Sequence, residues 1–320
     1  MAMKNNTNIE LSIVATVYND AEIVSLLVKE LCHQCAQLKV SYEIILVNDY
    51  STDSSEIEIQ KACKENENVK GISLSRNFGQ QIAISAGMRY ASGKFITIMD
   101  GDLQNPQSEI PRLYNEILKG YDIVYTVSKT RNNFFNRITS SFFWFILTKL
   151  FGVKIVQNQL MMKIMNHSFV DRYNQYNEIN RTVEGIIVDI SENYSVLQVE
   201  NQERISGKSH YNFFKRSNLM IDMLIGLTNV PLNMMLYFGW LVFLITIILS
   251  IYNLIAYLYF NVPAGFTSII LSIFLFGSLI VLLLGFIGRY LSNIYTEVRK
   301  RPLFHIKVTY NLEKEMGKNE

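Results

Sequence analysis

The chain has 320 residues, of which 49% are apolar, and a formal net charge of +2 at pH 7. That charge predicts little by itself, and no nucleic-acid partner is expected. Three cysteines form an odd, sparse set, which argues against a disulfide framework and fits a reducing compartment. Cys32 and Cys35 form a C-x-x-C, but no second Cys or His pair follows at zinc spacing, so a structural role is favoured over a metal site.

The first 130 residues alternate short apolar runs with amphipathic segments. This alternation predicts an α/β domain with a mostly parallel sheet and helices on both faces. Strands are predicted at 11–17, 42–47, 69–74, 95–99 and 122–127, and helices at 21–39, 54–66, 80–91 and 111–119.

Polar residues follow three of these strands, where an open α/β sheet binds its ligands. Tyr18 to Asp20 follow the first strand, residues 48–53 the second, and residues 100–104 the fourth. Asp100-Gly101-Asp102 places two carboxylates around a glycine that permits a sharp turn. Such hard oxygen ligands suit Mg²⁺ or Mn²⁺, which typically binds one or two carboxylates together with substrate phosphates. A dinucleotide cofactor is disfavoured, because no G-x-G-x-x-G follows the first strand.

Two later segments, 131–156 and 211–227, combine aromatic residues at helical spacing with basic residues. Such helices commonly lie in the headgroup plane of a membrane. Packing against the protein core explains the same pattern, and both interpretations stay open.

Residues 231–260 and 266–288 contain no Asp, Glu, Lys or Arg, and each run is long enough to cross a bilayer. Residues 261–265 between them, which include a proline and a glycine, predict a tight turn. Basic residues flank the pair on both sides and are absent from the turn, so both ends are expected in the cytoplasm. The expected organisation is a cytoplasmic α/β domain (1–210), a juxtamembrane amphipathic helix (211–230), a transmembrane hairpin (231–291) and a cytoplasmic tail (292–320), disordered past Tyr310.

Four segments carry a resemblance to a known family. They are Val17-Tyr18-Asn19-Asp20, residues 47–53 (VNDYSTD), residues 75–81 (SRNFGQQ) and residues 100–106 (DGDLQNP). Together they resemble the inverting glycosyltransferase family 2, which has the Rossmann-like GT-A fold. The last two segments, with the paired apolar runs and the ending 287–302, are similar to a narrower group. That group comprises dolichyl-phosphate mannose synthases and bacterial polyprenyl-phosphate glucosyltransferases.

The resemblance implies roles for individual residues on the donor side. Asp49 and Asp20, near Tyr18, would bind the nucleotide base and ribose, and Asp100 with Gly101 would support the nucleotide. Asp102 would hold Mg²⁺ or Mn²⁺ on the diphosphate and is expected to be catalytic.

The acceptor side is implied by two further segments. Residues 204–211 (RISGKSHY) are similar to a phosphate-covering loop of the group, with Arg204 and Lys208 as catalytic charge partners. Gly207 and Ser209 of that loop, with Gln104, would border the acceptor. Lys163 stands where relatives carry the arginine of a G-D-F-R-like stretch, and the acidic residue of that stretch is absent.

The expected function is inverting transfer of a sugar, with a UDP-hexose favoured as donor, to a polyprenyl phosphate such as undecaprenyl phosphate. This reaction would serve cell-envelope polysaccharide synthesis at the bacterial inner membrane, with a homo-oligomer possible. The missing acid favours this acceptor, because a phosphomonoester with a second pKa of about 6 is already anionic and needs no base. Two alternatives stay open: transfer to a hydroxyl of a lipid-linked glycan, with Glu184 or Asp189 as base, and an inactive membrane scaffold.

Overall fold

The structure, a computed structural model, divides into two compact units, residues 1–211 with 302–320 and residues 212–301. It describes residues 9–103, 106–128, 156, 159–178, 183–200, 237–238 and 265–312, with six single positions between 241 and 259.

The first unit is an α/β domain. Its strands are β1 (Leu11–Val17), β2 (Tyr42–Asn48), β3 (Val69–Leu74), β4 (Phe95–Asp100), β5 (Ile123–Ser128), β6 (Gln159–Asn166), β7 (Tyr194–Val199) and β8 (Ile306–Tyr310). Its helices are α1 (Ala21–Leu38), α2 (Ser55–Glu65), α3 (Gln80–Tyr90), α4 (Ile110–Ile117), α5 (His167–Gln175) and α6 (Val183–Ile190). The elements predicted through residue 127 are therefore confirmed, with ends that differ by at most two residues.

The strands form one mixed sheet in the order β7-β5-β6-β4-β1-β2-β3-β8. Its centre is parallel, because β1 pairs in parallel with both β2 and β4, and β2 pairs in parallel with β3. β6 lies antiparallel between β4 and β5, and β7 runs parallel to β5. The carboxyl ends of β1, β2 and β4 consequently meet at one edge of the sheet.

Both faces of the sheet are buried, which explains why β1 is almost wholly apolar. Leu11, Ile13 and Ala15 belong to one hydrophobic core, and Val14 belongs to the other. Helices α1, α2 and α4 contribute to the first core, and α3, α5 and α6 contribute to the second. A Cβ at Gly87 would overlap the Val14 side chain, so this glycine allows α3 to pack closely on β1.

The C-terminal segment completes the sheet, which the sequence analysis did not anticipate. β8 pairs antiparallel with β3, with Gly71 opposite Tyr310. Asn311 Nδ2 donates hydrogen bonds to the carbonyl oxygens of Cys63 at 2.5 Å and Val69 at 2.8 Å. This strand covers the edge of β3, whose backbone groups would otherwise be unpaired.

The end of the sheet opposite the ligand edge is held by a buried carboxylate, Glu43, which is 1% exposed. It accepts hydrogen bonds from Lys70 Nζ, from Ser12 Oγ and from the Ser92 backbone N–H at 2.7 Å. Burial alone would raise the pKa of Glu43, but the hydrogen bonds from these three residues outweigh it and hold the pKa below its ordinary value.

Glu43→Gln is expected to lower the free energy of unfolding at neutral pH by about 2 kcal/mol, because charge-assisted hydrogen bonds are lost. The depressed pKa means that the carboxylate stabilises the fold above its unfolded-state pKa, and that this stabilisation disappears as the pH falls through the native pKa. The variant should therefore show a weaker fall in melting temperature between neutral pH and about pH 3 than the parent protein does. Parallel pH profiles for the two proteins would contradict this assignment.

In the second unit, residues Phe266–Val298 form a helix, α7, which contains the second predicted apolar run. Among the residues described, no helix qualifies by length and apolarity as a membrane-crossing segment. The amphipathic segments predicted at 131–156 and 211–227 lie outside the described residues, apart from Val156.

Candidate active site

The carboxyl edge of the parallel strands gathers the residues predicted to bind a nucleotide. Tyr18 and Asp20 follow β1, Asp49 follows β2, and Asp100 ends β4. Tyr18 is 49% exposed, whereas Asp49 is only 4% exposed. Since β1 lies between β2 and β4, these residues lie at adjacent strand ends, with Tyr18 at the surface and Asp49 buried.

The loops after β1 and β2 are joined by hydrogen bonds. The Asn19 backbone N–H donates to Ser51 Oγ at 3.0 Å, and the Thr52 backbone N–H donates to Asn19 Oδ1 at 2.8 Å. The Ala21 backbone N–H donates to Asp53 Oδ2 at 3.1 Å, which fixes the start of α1 to the same loop. The polar residues of both loops therefore hold each other in place around Tyr18.

Asp49 organises the segment that precedes α3. Its Oδ1 accepts the Phe78 backbone N–H at 2.8 Å, and its Oδ2 accepts the Gly79 backbone N–H at 2.9 Å. Burial raises the pKa of Asp49, and the two backbone N–H groups oppose that rise. Gly79 has a φ of 90°, a left-handed conformation that favours glycine. The direct contact of Asp49 with a nucleotide stays a prediction.

Asp49→Asn is expected to loosen this segment. An amide offers one acceptor oxygen, and its NH₂ group would face the second backbone N–H, so one hydrogen bond worth about 1.5–3 kcal/mol is lost. Amide hydrogen exchange of a peptide spanning residues 76–79 should accelerate about 10- to 100-fold. Asp171→Asn is a matched control, because the Asp171 side chain is 64% exposed on α5. Unchanged exchange in Asp49→Asn would argue against this anchoring role.

The Asp100-Gly101-Asp102 turn is fixed to the neighbouring strand. The Gly101 backbone N–H donates to the Thr16 carbonyl oxygen at 3.0 Å, and a Cβ at Gly101 would overlap that oxygen. The position therefore requires glycine. Asp100 and Asp102 are half-buried, and Asp100 Oδ1 accepts a hydrogen bond from Gln80 Nε2.

These two carboxylates fit a hard divalent cation. Within the described part of the chain, no group of three or more His, Cys, Asp or Glu side chains is arranged to hold a metal by itself. A site with one or two carboxylates suits Mg²⁺ or Mn²⁺ when substrate phosphates complete the coordination.

Lys163 lies on β6 opposite Ile98 of β4. Ile98 is two positions before Asp100 in the chain. The Lys163 side chain is 0% exposed, and its Nζ lies 3.4 Å from Glu184 Oε1 on α6. The Nζ also lies 5.7 Å from the centroid of the Tyr125 ring. Lys163 is therefore a buried cation paired with Glu184, and its predicted contact with an acceptor stays a prediction.

Other predicted site residues lie outside the described residues. They are Gln104, Arg204, Gly207, Lys208 and Ser209.

Two functional candidates were missed in the sequence, Gln80 and Gln81. Gln80 contacts Asp100, and Gln81 Oε1 accepts the Val183 backbone N–H at 2.7 Å at the start of α6. Both belong to the segment 75–81, whose family resemblance is a signal that these positions have a role.

The chain is similar in sequence and in fold to known proteins. A family model described as Glycosyl transferase family 2 matches residues 12–172, from β1 into α5. An uncharacterized glycosyltransferase of Synechocystis sp. is 30% identical, over 95% of this chain and 97% of its own length. An undecaprenyl-phosphate 4-deoxy-4-formamido-L-arabinose transferase of Proteus mirabilis is 32% identical, over 95% of each chain.

Among solved structures, a glucosyl-3-phosphoglycerate synthase of Mycobacterium tuberculosis bound to phosphoglyceric acid has a similar fold. Its TM-score is 0.50 at 15% identity, over 69% of this chain and 81% of that chain. This likeness supports the predicted GT-A fold for the first unit. The resemblance to the polyprenyl-phosphate group is confirmed by the full-length relatives, and the chain belongs to glycosyl transferase family 2.

Proposed function

We propose that this chain transfers a sugar from a nucleotide donor to a polyprenyl phosphate, with inversion at the anomeric carbon. The observation that carries the proposal is the Asp100-Gly101-Asp102 turn, held against β1 at the carboxyl edge of a parallel sheet. The acceptor class is supported by full-length relatives named as undecaprenyl-phosphate transferases. A UDP-hexose is the proposed donor.

The donor would lie across the ends of β1, β2 and β4. Tyr18, which is 49% exposed, offers a ring for the base. Asp20 and Asp49 are proposed to bind the base and ribose. Asp102, with support from Asp100 and Gly101, would hold Mg²⁺ or Mn²⁺, which when bound stabilises the negative charge of the leaving nucleoside diphosphate. Arg204 and Lys208 are proposed as charge partners of the phosphates, and Gln104, Lys163, Gly207 and Ser209 as residues that border the acceptor.

The chemistry is a single displacement. An oxygen of the lipid phosphate attacks the anomeric carbon and forms the new C–O bond, while the bond to the nucleoside diphosphate breaks and its electron pair leaves with that group. The nucleophile is already anionic at neutral pH, so no side chain needs to remove a proton.

The surroundings of Glu184 and Asp189 support a phosphate acceptor over a hydroxyl acceptor. Glu184 is paired with the buried Lys163, and Asp189 Oδ2 accepts the Tyr176 hydroxyl at 2.5 Å. Each of these carboxylates already has a partner within the protein, whereas a general base must face the proton that it removes.

Membrane attachment is part of the proposal. Relatives named as undecaprenyl-phosphate transferases support it, as do the uncharged runs 231–260 and 266–288. Apolar side chains along α7 are more than half exposed, namely Ile273, Ile280, Leu284, Ile287 and Leu291. We propose a two-helix hairpin in the bacterial inner membrane with the catalytic domain in the cytoplasm; a homo-oligomer stays a prediction.

A transfer assay tests the proposal. Full-length protein in detergent is mixed with undecaprenyl phosphate, Mn²⁺ and a panel of UDP-sugars, and the lipid is extracted. A lipid product that carries one sugar, lost on addition of EDTA, is the expected result. Donor hydrolysis without a lipid product would overturn the acceptor assignment and favour a lipid-linked glycan, and absence of any donor binding would favour a scaffold.

A further inference from the structure

The first turn of α3 contacts two parts of the candidate site, the end of β4 and the start of α6. Gln80 Nε2 donates to Asp100 Oδ1 on the donor side. Gln81 Oε1 accepts the backbone N–H of Val183, the first residue of α6, at 2.7 Å. Neighbouring residues on a helix point about 100° apart, so two adjacent glutamines can serve different partners.

The donor-side contact continues the anchoring of Asp49. Gly79 donates its backbone N–H to Asp49, and the next residue, Gln80, donates its side-chain amide to Asp100. Gly79 and Gln80 are successive residues. The first thus holds Asp49, which follows β2, and the second holds Asp100, which ends β4. Because Gln80 is exposed, this hydrogen bond fixes the orientation of a carboxylate at the surface of the site rather than one in the core.

The second contact fixes the start of α6. The first N–H groups of a helix have no partner within the helix, and Gln81 supplies one for Val183. The next residue, Glu184, is held by Lys163 from β6 at 3.4 Å. Four positions after Gln81, Ser85 Oγ lies 2.9 Å from the Tyr173 hydroxyl on α5, so this face of α3 is directed at the acceptor-side helices.

We propose that Gln80 and Gln81 are positioning residues with separate tasks. Gln80 orients Asp100 for the nucleotide and its cation, and Gln81 sets the position of α6 beside the acceptor. This inference rests on the proposed function, which assigns the donor to the carboxyl ends of β1, β2 and β4 and the acceptor to the side of Lys163 and α6.

Leucine substitutions separate the two tasks. Gln80→Leu is expected to weaken binding of UDP in the presence of Mn²⁺ about tenfold by calorimetry, with the KM for undecaprenyl phosphate unchanged. Gln81→Leu is expected to raise the KM for undecaprenyl phosphate about tenfold, with UDP binding unchanged. Gln81→Glu keeps an acceptor oxygen for the Val183 N–H and should restore the parent values.

Ser85→Ala is the control for loss of contacts on the same helix face. It removes the hydrogen bonds of Ser85 Oγ to the Gln81 backbone carbonyl and to the Tyr173 hydroxyl, and it leaves both glutamine side chains with their partners. It should lower the melting temperature and leave both binding readouts unchanged. Equal effects of the two leucine variants on both readouts, or no effect of either variant, would overturn the inference.

The acceptor-side task has a readout that needs no acceptor. Gln81→Leu should accelerate amide hydrogen exchange of residues 183–190, and Gln80→Leu should not; unchanged exchange in Gln81→Leu would also overturn the inference. A parent protein that binds UDP but glycosylates no undecaprenyl phosphate would overturn the proposed function, while calorimetry and exchange still decide this inference.

Discussion

Asp102→Ala is expected to reduce sugar transfer about 1000-fold. Cation stabilisation of a leaving group contributes several kcal/mol, and about 4 kcal/mol corresponds to three orders of magnitude in rate. The hydrogen bond between Gly101 N–H and the Thr16 carbonyl keeps the backbone of this turn in place when the Asp102 side chain is removed. The loss should therefore come from missing charge and not from unfolding.

Initial rates at saturating UDP-sugar and undecaprenyl phosphate measure this effect, and the melting temperature checks the fold. Asp171→Asn removes an exposed carboxylate on α5 and should retain the parent rate. A parent-like rate in Asp102→Ala would refute the role of this carboxylate and the metal dependence that follows from it.

Local pattern was sufficient to predict the fold through residue 128. β1 is a short apolar run because both of its faces are buried, and α1 places Leu27, Leu31 and Cys35 four residues apart on the face that enters the core. Each of these signals lies within the element itself, so no knowledge of distant partners was needed.

The later strands depend on distant partners. β6 carries Lys163 at its centre, and a charged residue within an apolar run argues against a buried strand. The structure accommodates this ammonium because Glu184 from α6 reaches it. β8 pairs with β3, which lies far earlier in the chain, and its alternating pattern cannot indicate which sheet edge it covers.

The sequence predicted where the candidate site lies, but it did not predict which residues contact each other there. Parallel pairing brings Asp20, Asp49 and Asp100 to one edge of the sheet. The βα alternation predicted the parallel pairing but not the order of the strands. The partner of each side chain did not follow, because hydrogen bonds such as Gln80 to Asp100 depend on helix orientation. For the same reason, the sequence placed Lys163 beside the acceptor without indicating that its side chain is 0% exposed.

Glu184→Gln is expected to destabilise the protein by about 3–5 kcal/mol, because it leaves the buried Lys163 ammonium without its carboxylate. Lys163→Met should cost less, about 1–3 kcal/mol, since the Glu184 side chain is 17% exposed and can be hydrated. The double variant should lie within about 1 kcal/mol of the parent, because a buried pair can be replaced by groups of similar volume at little cost. Denaturant unfolding of all four proteins in one detergent gives the coupling free energy.

The double variant also separates stability from chemistry. If the nucleophile is an anionic phosphate, the folded double variant should still transfer sugar, because no base has been removed. Since Lys163 is proposed to border the acceptor, any loss should appear in the KM for undecaprenyl phosphate. A stable but inactive double variant would give Glu184 or Lys163 a direct part in catalysis or acceptor binding. Additive single effects, with no coupling, would instead show that the pair does not form in solution. Transfer by a stable double variant would exclude Glu184 as the base and favour the lipid phosphate over a sugar hydroxyl as acceptor.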